Sequence, residues 1–407
     1  SEDEHGGNSR FAGGVMRFAY ETVDDLKRIT DITDEEVATS DFGTNTKEEY
    51  FDDLYRLTAF RTDPDLSEIL VTQSLDVMAW LRSKGARFVP NYGRQSGMVN
   101  GKRKFFGRMP LWMAGGGPGL VDLEHKAAVK AGIPIHYETP AVSLIEEDGV
   151  VRGVVARHKG RKVRIGAKAV VLACGGFESN AEMRTRYLGP TWDLAKVRGT
   201  RFNTGAGINM ALAIGAKPHG NWSGGHAVGW DMNAPEFGDL EVGDNFQKHS
   251  YPLGIMVNAN GERFVDEGAD FRNFTYAKYG VEVLKQPGMF AWQIFDSKIN
   301  HLLREEYHIR KITKVEAPTL EELAQKLEGV NAERCLATIA DYNKAVMTEV
   351  PFNSVVKDGR GTRGLAVPKS NWANLIDTPP YHAYAVTCGI TFTFGGIRIN
   401  NDAAVQS

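Results

Sequence analysis

Gly6-Gly7-Asn8-Ser9-Arg10-Phe11-Ala12-Gly13-Gly14 stands almost at the start of the chain, and neither a packed helix nor an ordinary strand can be built from it. Its glycines allow positive φ and let bare N–H groups come close to a ligand. A pattern this dense suits a phosphate or a flat cofactor ring. Further glycine clusters stand at 115–119, 175–176, 205–207 and 395–396. Two of them flank expected strand-to-helix junctions, where helix N-termini attract anions. Taken together, the clusters point to a dinucleotide cofactor site.

Working outward, helical spacing of apolar residues predicts helices over 48–59, 65–85 and 120–131. Short strands are expected at 133–137, 141–146, 150–158 and 161–166, the last three forming a meander. The apolar run 169–173, closed by Cys174-Gly175-Gly176-Phe177, reads as a strand buried on both faces. Thr204-Gly205-Ala206-Gly207 opens another helix. From about residue 220 the composition shifts towards Trp, His, Asn and Asp, with helical segments at 296–307, 319–327 and 332–347. Near Tyr384 the style of the first part returns. The expected organisation is therefore a cofactor domain over 1–225 and 386–407, interrupted by an inserted domain over 226–385.

A chain of 407 residues is long enough for two domains. A net charge of −3 argues against a nucleic-acid partner, which calls for a basic face. Three widely spaced cysteines, Cys174, Cys335 and Cys388, form neither a disulfide framework nor a metal site and fit a reducing compartment. No apolar run reaches the ~18 residues of a membrane span. The expected location is cytoplasmic, with room for peripheral association at the inner face of a membrane.

Five ordered motifs carry a family resemblance: the opening glycine run, Val170 through Asn180, Thr204 to Gly207, Gly261-Glu262-Arg263-Phe264-Val265-Asp266-Glu267, and Phe394-Gly395-Gly396. The chain resembles the flavoprotein family of fumarate reductase, succinate dehydrogenase and 3-ketosteroid dehydrogenase over essentially its whole length. Arg10-Phe11, Met16 to Tyr20 and Cys388 to Gly396 look most like the tricarballylate dehydrogenase branch. The resemblance implies an α/β fold with a split, Rossmann-like FAD-binding domain of the glutathione-reductase type and an inserted α+β capping domain. It implies bound FAD and desaturation of a CH–CH bond in a di- or tricarboxylate, by hydride transfer to the flavin. A fumarate reductase, a 3-ketosteroid dehydrogenase-like enzyme and a non-catalytic FAD-binding homologue are the alternatives. A strand with a G-x-G-x-x-G turn before Ser1, and a glycine-rich stretch after Ser407, are expected to complete the family pattern. The branch also suggests a membrane-bound electron acceptor, although a free soluble one would serve.

By the same resemblance, Gly6, Gly7, Asn8, Ser9, Ala12, Gly13 and Gly14 would wrap the pyrophosphate and flavin edge. Ala173, Cys174, Gly175, Gly176 and Asn180 would lie beside the adenosine half. The proton-transferring arginine falls on Arg272, one residue later than in fumarate reductases. Glu267 or Asp270 could relay its proton. Arg263 is expected to be a structural ion-pair partner in the same loop. His226 takes the place of a carboxylate-binding histidine and is preferred over His249. Thr391 stands where fumarate reductases carry a second histidine, so this chain must grip its substrate differently. Thr393 can donate a hydrogen bond, and Arg94 or Arg108 could fork onto a further carboxylate.

Overall fold

The computed structural model describes residues 6–407, the side chain of Arg94 excepted. The chain forms two compact units. The first runs to Asp193 and resumes over Gly199–Gly225 and Phe392–Ser407, and the second comprises Leu194–Arg198 and His226–Thr391. Both mix helices with sheets, giving the α/β class expected.

In the first unit, the acidic stretch that follows the glycine run is organised by helix starts. Thr22 with Asp25, Thr33 with Glu36 and Thr46 with Glu49 form capping boxes on the helices Val23–Lys27, Asp34–Thr39 and Lys47–Leu57. Each pair satisfies two N–H groups that the helix leaves open, and the acid lies at the positive end of the dipole. The long helix Pro64–Ser83 begins on an Asp63 cap, but it turns a different face inward than its large apolar residues suggest. Ser67, Val71, Ser74 and Met78 are buried, whereas Leu70, Val77 and Trp80 are about half exposed. The small serines allow close approach: Ser74 Oγ accepts a hydrogen bond from the Ala19 N–H at 2.9 Å. Met78 then joins Phe18, Tyr20, Leu26, Phe42, Phe88, Phe105 and Leu111 in this unit's core.

The opening glycine run contains a short 3-10 turn, Asn8–Phe11, set against the start of the helix Gly116–Lys130. Gly117 donates its N–H to the Ala12 carbonyl at 2.8 Å. A Cβ on Gly117 would stand 2.0 Å from the Ser9 carbonyl oxygen, and one on Gly14 would stand 2.6 Å from Gly116 Cα. Glycine lies on glycine because nothing larger fits.

The meander is present as Ala141–Glu147, Val150–His158 and Arg161–Gly166. Two expected strands are not. Residues 133–137 and 169–173 have no regular structure, and Val171 is 88% exposed. A strand exists only where a neighbour accepts its ladder of hydrogen bonds. Neither segment pairs with another strand among the described residues.

In the second unit, Ala291–Phe295 is buried along its whole length. It pairs antiparallel with Ile255–Val257 on one side and with 382–386 of the long strand Tyr381–Ile397 on the other. Trp292 and Ile294 pack with Leu323, Ile339 and Tyr342 of the helices Leu320–Lys326 and Ala332–Ala345. On the opposite face, Phe295 meets Tyr307 and Tyr384. The helix expected over 296–307 is instead two 3-10 turns, Ser297–Leu302 and Glu305–Tyr307.

Charge is buried inside the first unit as well. The Arg184 guanidinium, on a residue 2% exposed, donates to the carbonyls of Trp192, Asp193 and Glu178. Arg184→Met would leave three inward-facing carbonyls without this donor. It is expected to destabilise the protein by about 3 kcal/mol in urea unfolding. A change within about 0.5 kcal/mol would show that the clamp contributes nothing.

Candidate active site

In the first unit the Cys174-Gly175-Gly176 turn borders a cavity of about 260 Å³, lined also by Leu172, Thr393 and Gly395. Glycine backbone at 175, 176, 207, 395 and 396 makes up half of its wall, and Leu172, Ile208 and Ile397 add an apolar side. A Cβ on Gly176 would fall 2.4 Å from Thr393 Oγ1 and 2.7 Å from Glu178 Oε2, so the wall admits no side chain there. Thr393, expected at the substrate, accepts the Phe177 N–H at 3.2 Å and belongs to this wall. Walls of this kind suit a flat ring or a phosphate, and the cavity admits part of a dinucleotide.

The residues expected at the cofactor divide into open and committed groups. Ala173, Cys174 and Gly175 are exposed. Asn8 is committed: its Nδ2 donates to Glu178 Oε1 at 3.1 Å, and its Oδ1 accepts the Thr200 N–H at 3.0 Å. Asn180 caps the helix Ala181–Leu188 through the Met183 N–H and donates to the Thr204 carbonyl. Gly6, Gly7, Ser9, Ala12, Gly13 and Gly14 form the run already described. Glu178 lies in the same motif as Gly176 and Asn180, between them. It is fully buried, one of its oxygens finds no hydrogen-bond partner among the described residues, and burial raises its pKa.

Arg108 is also committed, in the same unit. It forms ion pairs with Asp53 at 2.7 Å and Glu49 at 3.2 Å, while Arg17 shares the Asp53 carboxylate at 2.5 Å. Burial works to raise the Asp53 pKa, but these arginines and Arg56 hold it below the usual carboxylate range. Arg94 lies in the short helix Tyr92–Gln95, and its side chain is outside the described residues.

The second unit gathers polar groups around one ring. His226 and His249 meet Tyr276 edge-on, with centroids 5.0 and 4.9 Å away, and the Arg272 guanidinium stands 5.6 Å from the same ring. Arg272 opens a 3-10 turn, Arg272–Phe274, just before the helix Tyr276–Leu284. His226 Nδ1 lies 3.0 Å from Thr391 Oγ1, and Arg198 reaches the same hydroxyl at 3.4 Å. Arg198 is itself held by Asp244, at 2.8 Å through Nε and 2.5 Å through Nη2. His226, Thr391 and Arg272 therefore come together within this unit. Arg198, Asp244 and Tyr276 were not singled out from the sequence, because the elements that carry them are joined only by tertiary folding.

Desolvation sets the charge states. Burial, then the charge of Arg198, lowers His226 to about 3, so its ring is neutral at physiological pH. Loss of solvent, then the charge of Arg304, brings Arg272 down to about 9. It remains a cation at neutral pH but gives up its proton more readily than a surface arginine.

Glu267 lies elsewhere in the loop's network. It is 0% exposed, and its carboxylate accepts Arg263 Nη2 at 2.5 Å, Arg263 Nε at 3.1 Å and the Met256 N–H at 2.8 Å. Both oxygens are engaged, and Arg263 is the ion-pair partner. Asp270 accepts the Phe271 N–H and stands 3.6 Å from Lys357. Among the described residues there is no cluster of metal-ligating side chains. No described helix is long and apolar enough to cross a membrane.

The family model described as FAD binding domain matches residues 1–407. A probable fumarate reductase of Shewanella frigidimarina is 32% identical over 372 residues, 89% of this chain and 57% of that protein. A 3-oxosteroid 1-dehydrogenase of Mycobacterium tuberculosis is 28% identical over 317 residues, covering 70% of this chain and 54% of that protein. The open conformation of a flavocytochrome c3 fumarate reductase superimposes with a TM-score of 0.69 at 27% identity, covering 99% of this chain and 64% of that one. The chain thus spans 57% to 64% of the length of these fumarate reductases.

The glycine wall yields a direct test. Gly176→Ala should push Thr393 into the cavity and weaken FAD binding at least tenfold, read by titrating flavin into apoprotein. Gly166→Ala, where a Cβ meets nothing within 4 Å, is the neutral control. Equal affinity in the two variants would remove Gly176 from the cofactor site.

Proposed function

The chain belongs to the FAD-binding-domain family, and from that membership we propose that the whole protein is a flavin-dependent oxidoreductase acting on a CH–CH bond beside a carboxylate. The proposed substrate is a di- or tricarboxylate, with the desaturation of tricarballylate to cis-aconitate as the model reaction. FAD, when bound, supplies the two-electron acceptor for a hydride. In the first unit, Gly175, Gly176, the opening glycine run and Thr393 would hold it by bare backbone and a hydroxyl.

The observation that carries the substrate class is the set of arginines inside the second unit. Arg198 and Arg304 are paired with Asp244 and Glu306, and Arg272, whose charge acts with theirs on buried His249, favours an anion over a neutral steroid. Abstraction of a proton beside a carboxylate builds negative charge on its oxygens, which fixed cations and dipoles stabilise without reorganising. Arg272 takes or returns that proton at its guanidinium. His226, neutral and hydrogen-bonded to Thr391, orients the substrate without competing for the proton. Arg198, anchored by Asp244, keeps the Thr391 hydroxyl in place. Glu267 supports the loop through Arg263 and is not needed as a relay. Electrons would pass on to a separate acceptor, at a membrane or free in solution.

The sharpest test is steady-state turnover of the flavin-loaded protein on tricarballylate, succinate or fumarate, and a 3-ketosteroid. Activity confined to the steroid would overturn the carboxylate reading. Failure of any substrate to bleach the flavin anaerobically would favour a non-catalytic role.

Arg272→Ala should retain FAD and lose at least about a hundredfold in turnover. Because only unprotonated Arg272 can accept a proton, desaturation should quicken as pH rises towards about 9. The reverse reduction needs the protonated form and should slow above that pH. Matching pH profiles in wild type and variant would move the proton elsewhere.

A further inference from the structure

His249 is the group in this interior that the reaction so far leaves idle. It is 2% exposed, and neither Nδ1 nor Nε2 has a hydrogen-bond partner among the described residues. An imidazole left in that state is destabilising unless something completes it.

The chain on either side of this residue is nevertheless tied down. Lys248 points its ammonium at the carbonyls of Asn245, Phe246, Gln247 and Glu306, at 3.1 to 3.2 Å. Ser250 donates its N–H to Tyr307 Oη at 2.8 Å and accepts the Arg304 N–H on Oγ at 3.0 Å. The Lys248 carbonyl accepts Gln293 Nε2 at 3.0 Å. Both chain neighbours of His249 are therefore tied down, and its ring packs on Tyr276 at 4.9 Å. The same Tyr276 ring carries Arg272 and His226. The charged and titratable groups acting on His249 are Arg272, Arg198, Arg304 and His226. Burial and these cations hold the imidazole neutral, with one N–H to donate.

We propose that His249 is a further substrate-binding residue, donating its imidazole N–H to a carboxylate oxygen of the substrate beside Arg272. A neutral donor in a cationic field completes an anion without adding a proton that could be mistaken for the reacting one. This assignment rests on the carboxylate reading above.

The test uses the flavin-loaded protein and measures dissociation constants for malonate, succinate and tricarballylate through the change in flavin absorbance. His249→Phe keeps the ring on Tyr276 and removes both nitrogens. It should weaken carboxylate binding about 10- to 100-fold, the effect of losing a hydrogen bond to a charged group. Flavin content and the melting temperature should hold or rise, because an unsatisfied polar ring has been replaced by an apolar one. His249→Asn and His249→Gln place an amide donor near Nδ1 and Nε2 respectively. Rescue by one of them identifies the donating nitrogen.

Dissociation constants within twofold of wild type in His249→Phe would overturn the assignment alone. So would a fall in melting temperature with unchanged binding, which marks a packing role. If His249→Phe loses its flavin, carboxylate affinity in the Asn and Gln variants decides: recovery in neither overturns the assignment. Wild type that binds none of the three acids overturns the carboxylate reading itself, and this assignment with it.

Discussion

Desolvation of charge is the constraint on which the second unit's interior depends. A guanidinium or ammonium taken out of water must be answered by carboxylates or carbonyls, or it does not stay charged. Asp244 answers Arg198, Glu306 answers Arg304, and a ring of carbonyls answers Lys248. Lys369 does the same for the next stretch, donating to the Pro252 and Gly254 carbonyls at 2.7 and 2.8 Å. Burial lowers both lysines to about 8. Segment 245–254, which forms no α-helix, is thereby tied down through its carbonyls.

That rigidity has a chemical consequence. The charges that hold the segment also set the field in which Arg272 and the two histidines sit. Arg304 lowers the affinity of Arg272 for its proton, while Glu306 acts in the opposite sense. Burial alone would raise Glu306, yet Arg304 and Arg272 hold it ionised below the ordinary glutamate range. The result is an arginine that stays cationic but parts with its proton more easily, flanked by imidazoles that cannot take it. Burial rather than residue type thus decides which of these side chains is charged.

The first unit works by a different economy, that of space. Where Gly14 meets Gly116 and the Ser9 carbonyl meets Gly117, no added side chain fits, and the opening run is held to a helix start by close backbone contact together with the Arg10–Asp122 ion pair at 2.8 Å. At Gly176 the same exclusion keeps a stretch of glycine backbone facing a cavity. Polar side chains that a motif would assign to the cofactor are partly used up in holding this wall. Asn180 caps a helix, and Asn8 ties Glu178 to Thr200.

Much of this was legible in the sequence, for local reasons. Glycine clusters announce close backbone approach, capping residues mark helix starts, and the meander follows from alternation broken by turns. The ordered motifs were enough to identify the family, and the loop spacing drew attention to Arg263, Glu267 and Arg272. Burial was not legible, because it depends on what folds onto a residue from far away. The strand expected at 169–173 needed a neighbour, and the inward face of Pro64–Ser83 was chosen by the small serines that let Ala19 approach. Glu267 reads from the sequence as a proton relay, and in the structure both of its oxygens are engaged. His249 looked the lesser of two histidines until tertiary packing removed both water and partners from its nitrogens. Sequence determined which chemistries were present; only the folded structure decided which of those groups were already satisfied, since a hydrogen bond or an ion pair is settled by distance in space and not along the chain.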